Sequence, residues 1–245
     1  MTQSSSNNKK QAAPLPYSLS SLQIDAAKRF GMSAKQVLDT CQSLYEKHKL
    51  ITYPRSDCRY LPREHLHQIP QVTQAIESVS SNLRTAVIGA NLKQVSKAWN
   101  DKKVEAHHAI IPTSKKSISS QLNRNELNIY ELIARQYLMQ LYPAFCYEER
   151  LLKLEISGGL FTAKSKQTID LGWKILFENK SSSTNSKPAK NKADEELQKF
   201  LPVLKKGDQV LCEIASKIHY FCPGVNPFGH DSNLKIKKNR HVFRL

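Results

Sequence analysis

The sequence predicts an α+β fold, with a mainly helical, winged-helix-like domain followed by part of a β-rich domain. Two observations carry this expectation. Up to Pro143, apolar residues recur at helical spacing behind serine and asparagine caps. After Tyr147 the period changes to two, the alternation of a strand with one buried face.

Taken in order, residues 1–13 (MTQSSSNNKKQAA) are polar and poor in apolar side chains, which predicts a flexible arm. Helical pattern begins at Pro14. Ser20 or Ser21 is placed to cap a helix running through Phe30, and Gly31 suits its left-handed exit. Ser33 can cap a second helix, on which Val37, Leu38, Cys41, Leu44 and Tyr45 share one face. Two helices joined by Gly31-Met32-Ser33 and followed by a short extended run resemble a helix-turn-helix or winged-helix arrangement. Leu61 to Ala98 reads as further helices with polar joins. Asn123 and Glu126 stand at capping-box spacing before a stripe of Ile129, Leu132, Ile133, Tyr137 and Leu141, and Pro143 ends that helix. The helical domain is therefore expected to occupy residues 14–142.

The β-rich part is expected over 143–213. Leu152, Leu154 and Ile156 alternate with Lys153 and Glu155, and Gly158-Gly159 predicts a hairpin turn into Leu160–Ala163. Leu171–Phe177 and Val203–Cys212 read as further strands. Between them, residues 178–196 include SSSTNSKPAKNK and predict a solvated linker or long loop. Residues 214–245 form a basic tail with Lys235, Lys237, Lys238 and Arg240.

Charge narrows the function classes. Thirty-seven Lys and Arg against 21 Asp and Glu leave a formal +16, which favours a polyanionic partner. No basic amphipathic helix with a continuous apolar face suggests a membrane surface, and no apolar run approaches bilayer length. The N-terminus lacks the apolar stretch of a secretory signal. The five cysteines are odd in number and never form a CxxC pair, which points away from a disulfide framework or a zinc ribbon. A reduced, cytoplasmic protein is expected.

Two short stretches carry chemistry. In Ile51–Asp57, ITYPRSD, Pro54 pushes Tyr53 toward extended geometry, so the segment is expected to be an edge or exposed strand end. Alternation would then set Tyr53, Arg55 and Asp57 on one face. A phenol with an unperturbed pKa near ~10 is about a thousandfold short of ionised at neutral pH, and a neighbouring guanidinium would favour the phenolate. Arginine also clamps phosphate in bidentate fashion. On spacing alone the same residues fit an ordinary tyrosine beside a surface Arg-Asp pair. The second stretch, EAHHAIIPT from Glu105 to Thr113, sets His107 and His108 on different faces, which is not a chelating arrangement. One of them could donate to a phosphate or shuttle a proton; a structural histidine beside a buried strand fits equally. His48, His65 and His67 fall into no pattern.

The order of the blocks decides between these alternatives. LPYSLSSLQ from Leu15, Arg29-Phe30-Gly31, Leu44-Tyr45-Glu46, ITYPRSDCRYLP, KAWNDKKVEAHHAIIPT, NIYELIARQYLMQLYP and Leu171-Gly172-Trp173 together closely resemble the type IA DNA topoisomerases of the bacterial topoisomerase III kind. The resemblance spans about Pro14 to Glu213. It implies that Tyr53 is a nucleophile forming a transient 5′-phosphotyrosine with single-stranded DNA, that Arg55 holds the scissile phosphate, and that His107 supports cleavage. It also implies DNA-binding positions at Gln23, Arg59 and His108. The helical part would carry the tyrosine and the β part would belong to the arch around the DNA gate.

The same resemblance implies Mg²⁺, bound by the acidic cluster of a Toprim domain. No D-x-D-x-E run precedes Tyr53 in this sequence, and from about Ile214 the likeness stops. The expectation is thus a partial chain, weak or inactive alone, with a separately encoded Toprim-containing chain as a candidate partner. The competing expectation is a non-catalytic DNA-binding remnant. Either would work in the bacterial cytoplasm, on nucleoid or plasmid DNA, without a membrane.

Overall fold

The computed structural model describes residues 3–104, 106–117, 121–156, 159–177, 201, 211–218, 231–238 and 241–244. They fall into two units, one of Gln11–Phe145 with Leu171–Asn179 and one of Met1–Lys10, Cys146–Asp170 and Lys180–Leu245.

The first unit is helical. Its opening helix α1 (Leu19–Phe30) is capped by Ser18, two residues before the nearer of the serines favoured by sequence. Ser18 wins because its hydroxyl accepts from the Ser21 amide while the Ser21 hydroxyl accepts from the Ser18 amide at 2.9 Å, a reciprocal capping box. Gly31 closes the helix at φ 68°, a conformation glycine adopts without a Cβ penalty. Helix α2 (Ala34–Gln42) starts on a second reciprocal box between Ser33 and Gln36, and runs into a π-helical turn, Ser43–Lys47. Lys49 then adopts φ 58°, a left-handed conformation that redirects the chain into Leu50 and Ile51.

A 3₁₀ turn (Arg63–Gln68) leads into α3 (Ile69–Val79), which is followed by the short α4 (Arg84–Ile88). Helix α5 (Arg124–Leu138) carries the expected Asn123–Glu126 capping box. It ends at Leu138 and tightens into a 3₁₀ turn at Met139–Leu141, before Pro143 is reached.

Leu22, Ala26, Val37, Cys41, Leu44, Ile129 and Ile133 are fully buried where α1, α2 and α5 meet. Each large aliphatic side chain among them contributes about 1.5–3 kcal/mol by leaving water. Burial pushes the Cys41 thiol up to about 12, so it serves as a small apolar group rather than a nucleophile.

Three sequence expectations change in this unit. The segment 51–57 is not a strand: Ile51 makes an isolated bridge with Pro112, and the chain bends from Thr52 onward. Leu171–Phe177 is not a strand either, since Gly172–Phe177 forms a 3₁₀ helix. Gly172 is the reason. It sits at φ 47°, and a Cβ there would lie 2.5 Å from the carbonyl oxygens of Pro143 and Ala144, so the chain turns sharply against the end of α5. Finally, the unit's extended segments pair through the isolated bridges Tyr17–Ile110, Ile51–Pro112 and Leu61–Trp99, and no hairpin wing forms from them among the described residues.

The second unit is β-structure. Strand β1 (Gln3–Gln11), β2 (Phe145–Ile156) and β3 (Gly159–Asp170) form one sheet in that order. The β2–β3 pair is antiparallel from Cys146–Asp170 to Ile156–Gly159. Residues 3–11 of the expected flexible arm therefore lie in a strand. Their low apolar content is compensated by charge and hydroxyl contacts to β2, where Ser6 meets Glu148 and Lys9 meets Glu149. A second antiparallel sheet of β4 (Leu211–Ile218), β5 (Asp231–Lys238) and β6 (His241–Arg244) runs through the residues expected as a tail. The expected linker 178–196, the Gly158 turn position and most of the expected strand from Val203 lie outside the described residues.

Candidate active site

Three stretches of extended backbone in the helical unit are stitched together at one place. The Thr52 amide donates to the Ile111 carbonyl at 2.9 Å, and the Thr113 amide donates to the Leu50 carbonyl at 2.9 Å. Ile110 donates to Tyr17, Ala109 to Tyr60, and Leu61 to Ala98, all within 2.9 Å. The Thr52 hydroxyl adds a further clasp, accepting from the Ile111 amide at 3.0 Å and donating to the Ala109 carbonyl at 3.3 Å. The physical cause lies in the sequence of the third stretch. Ala109, Ile110 and Ile111 are buried, so their backbone groups must find protein partners, and Thr52, Tyr60 and Tyr17 supply them.

This pairing brings the two motifs together. Tyr53 leaves the pairing just past Thr52 and His107 enters it just before Ala109, so their rings meet at 4.5 Å between centroids, tilted by 37°. Tyr45, from the π-helical turn, packs edge-on against Tyr53 at 5.8 Å. His108 turns the other way. Its ring stands edge-on to His65 at 4.7 Å, and its Nδ1 lies 2.8 Å from the Ala109 carbonyl. Tyr53, Pro62, Glu64, His65, Val104 and the run Ala106 to His108 line a single cavity of about 240 Å³.

Tyr53 stands apart from the other tyrosines. Among the described residues it is the one in the exposed class, at 38%. Tyr17, Tyr130 and Tyr137 are core residues whose hydroxyls burial holds well above the ordinary tyrosine range. The hydroxyls of Tyr17, Tyr60 and Tyr142 are engaged with Asp25, Lys103 and the Ala86 carbonyl. The Tyr53 hydroxyl makes no hydrogen bond among the described residues.

The other candidates from sequence are distributed differently. Arg55 is exposed, outside the cavity lining, and without a hydrogen bond or ion pair among the described residues. Because the segment bends, strand alternation does not group it with Tyr53 and Asp57. Gln23 donates from Nε2 to the Ala34 carbonyl at 3.0 Å, tying α1 to the start of α2. Arg59 is tied to backbone, with Nε donating to the Pro16 carbonyl at 3.0 Å and Nη2 to the Leu15 carbonyl at 2.9 Å. It lines a larger cavity of about 720 Å³, which has no residue in common with the tyrosine cavity.

Sequence reasoning missed His65 and Glu64. Both lie on the 3₁₀ turn after the tyrosine loop, a segment with no period to mark it. Burial holds the His65 imidazole below the ordinary histidine value, His108 and His67 push the same way, and Glu64 opposes them.

Comparison with known proteins bears on this arrangement. A family model described as DNA topoisomerase matches residues 1–220. The DNA topoisomerase 3 of Vibrio cholerae is 62% identical over 176 residues, which are 72% of this chain and 27% of that protein. The DNA topoisomerase 3 of Pasteurella multocida is 51% identical over 203 residues, 83% of this chain and 29% of that protein. The chain therefore spans less than a third of the length of these relatives. Among solved structures, full-length topoisomerase I from Thermotoga maritima superimposes with a TM-score of 0.52 at 24% identity, covering 77% of this chain and 31% of that one, a likeness of fold.

Proposed function

Because the chain belongs to the type IA DNA topoisomerases, close to topoisomerase III, we propose that it binds single-stranded DNA and that Tyr53 breaks and rejoins the strand through a 5′-phosphotyrosine link. The observation that carries this is the exposed Tyr53 ring, free at its hydroxyl and packed on His107 at the mouth of a small histidine-lined cavity.

The chemistry is a transesterification. The Tyr53 oxygen attacks phosphorus, the bond from phosphorus to the 3′ oxygen breaks, and the departing 3′ oxygen takes a proton as the phenol loses one. One phosphodiester replaces another, so rejoining needs no ATP; this is covalent catalysis in two balanced steps. In this proposal His107, in ring contact with the phenol, supports cleavage by accepting its proton. Arg55, exposed and uncommitted two residues after Tyr53, is the cation proposed to grip the phosphate. Gln23, Arg59 and His108 border the path of the strand in this proposal. Gln23 has one donor and Arg59 two donors tied to backbone carbonyls, which fixes both side chains and leaves their remaining N–H groups for DNA.

The family implies Mg²⁺ held by acidic residues. Among the described residues no group of three or more His, Cys, Asp or Glu could hold a metal ion, so these residues do not fit that role. We assign the metal to a Toprim segment, whether on the same polypeptide or on another, and expect the 245-residue chain to be weak or inactive without it. Among the described residues no helix is long and apolar enough to cross a membrane. Nucleoid or plasmid DNA in the cytoplasm is the proposed place of action.

The test is to incubate the chain with an end-labelled single-stranded oligonucleotide and Mg²⁺, with and without a supplied Toprim domain, and then denature. A covalent adduct that needs the Toprim domain and is lost in Tyr53→Phe supports the proposal. Binding with no adduct under any condition would instead favour a DNA-binding remnant.

A further inference from the structure

The cavity beside Tyr53 has a property its proposed ligand makes conspicuous. None of its lining residues is Lys or Arg, yet a phosphodiester brings a negative charge. Two fixed cations stand next to lining residues in sequence: Lys103 is turned onto Tyr60, its Nζ lying 3.2 Å from the hydroxyl, and Arg63 is exposed and outside the lining. The cavity also contains Glu64, whose carboxylate adds to the adverse charge. The remaining source of positive charge inside is protonation of imidazole, and three are present: His65, His107 and His108.

We infer that the phosphate entering this cavity takes up a proton onto the His65–His108 pair, so that DNA binding and proton uptake are one linked event. This rests on the proposal that the cavity receives a DNA phosphate. The two rings meet edge-on at 4.7 Å, close enough that a charge on His108 disfavours a charge on His65. Burial and its imidazole neighbours oppose the charged form of His65 in the empty cavity and hold its pKa below the ordinary histidine value. Its Nδ1 is buried and has no hydrogen-bond partner. An anion alongside reverses that balance, favouring the charged form and giving the proton a counter-charge.

The groups facing His65 are few. Arg63, Glu64 and His67 come from its own turn, His107 and His108 from the run before Ala109, and Tyr53 from the loop opposite. The following helix α3 has one ionisable side chain, Glu77, which is paired with Arg84 at 3.1 Å. Arg63 is the fixed cation among them, and it is exposed and outside the cavity lining, so no fixed cation inside replaces the proton. His65 is thus a positioning residue. It acts on the phosphate through His108, and Arg55 can still hold the strand from outside when His65 is replaced.

Calorimetric titration of the full chain with a single-stranded oligodeoxynucleotide, in two buffers of different ionisation enthalpy, counts protons taken up on binding. Near pH 7.5 the chain should take up close to one proton per site, and affinity should strengthen by as much as about tenfold per pH unit on acidification through the histidine range. His65→Gln and His108→Gln should each still bind, with uptake cut by half or more and a flattened pH profile. Ring Cε1–H resonances followed by NMR provide a second readout: the His65 and His108 titrations should both move to higher pH when oligonucleotide is added. Binding with no proton uptake, or uptake unchanged in both variants, would overturn the inference while leaving the DNA-binding proposal standing. No binding at any pH would overturn both.

Discussion

At the residue scale, the site depends on side chains that fasten one backbone run to another. Thr52 is the clearest. Its hydroxyl bonds to both Ile111 and Ala109, holding the tyrosine loop against the histidine run. Thr52→Val keeps the shape but leaves the Ile111 amide with no acceptor in a buried place, at a cost of about 1–3 kcal/mol. Chemical denaturation should report that loss, together with a fall in adduct formation larger than stability alone explains, since the Tyr53–His107 contact loosens with it. The sequence made Tyr53, His107 and His108 legible as chemistry because they sit in short, ordered motifs. It could not reveal that His107 meets Tyr53 while His108 meets His65, because that split follows from which way successive side chains leave a buried run. Strand alternation grouped Arg55 with Tyr53, and the bend at Thr52 and Pro54 undid that grouping.

At the element scale, helix boundaries were legible wherever a side chain satisfies the first-turn amides. Ser33 and Asn123 were found by that logic. At α1 three serines compete within four residues, and spacing alone could not rank them. Asn123→Ala removes the acceptor for the Glu126 amide, bonded at 2.9 Å, and should cost about 1 kcal/mol by denaturant titration. Glu126 is itself buried. Burial alone would raise its pKa, but hydrogen bonds from Ser43 and the Asn123 amide and the nearby His48 outweigh burial and hold it below 4.5. Residues 171–177 misled the sequence reading because apolar LGWKILF fits a strand, and only the close approach of Gly172 to the Pro143 and Ala144 carbonyls makes it a helical turn. Gly172→Ala should therefore destabilise the helical unit by well over about 1 kcal/mol, combining a clash with a left-handed backbone.

At the scale of the whole molecule, charge and pH set the behaviour. With a net +16, oligonucleotide affinity should fall linearly on a log–log plot as salt rises, with a slope reporting the number of phosphates contacted. A salt-independent affinity would contradict binding led by phosphate contacts. Stability should also depend on pH in a defined direction. His65 has a lowered folded value, so the unfolded chain binds the proton more readily, and stability is lost as pH falls through 6.5. Glu126 is also lowered, so its contribution is present above 4.5 and lost as pH falls through its folded value. Melting temperature should thus decline in two stages on acidification, and His65→Gln should remove the upper one. A melting temperature that rose on acidification through the histidine range would contradict this assignment.

The central claim is that Tyr53, rather than the Tyr45 that packs on it at 5.8 Å, makes the bond to DNA. The direct measurement is to trap the covalent adduct formed with a labelled oligonucleotide, Mg²⁺ and a supplied Toprim domain, digest it, and identify the nucleotide-bearing peptide by mass spectrometry. The expected result is a phosphodiester link on Tyr53 that disappears in Tyr53→Phe and persists in Tyr45→Phe. A link on Tyr45, on Tyr60 or on any other residue would contradict the account.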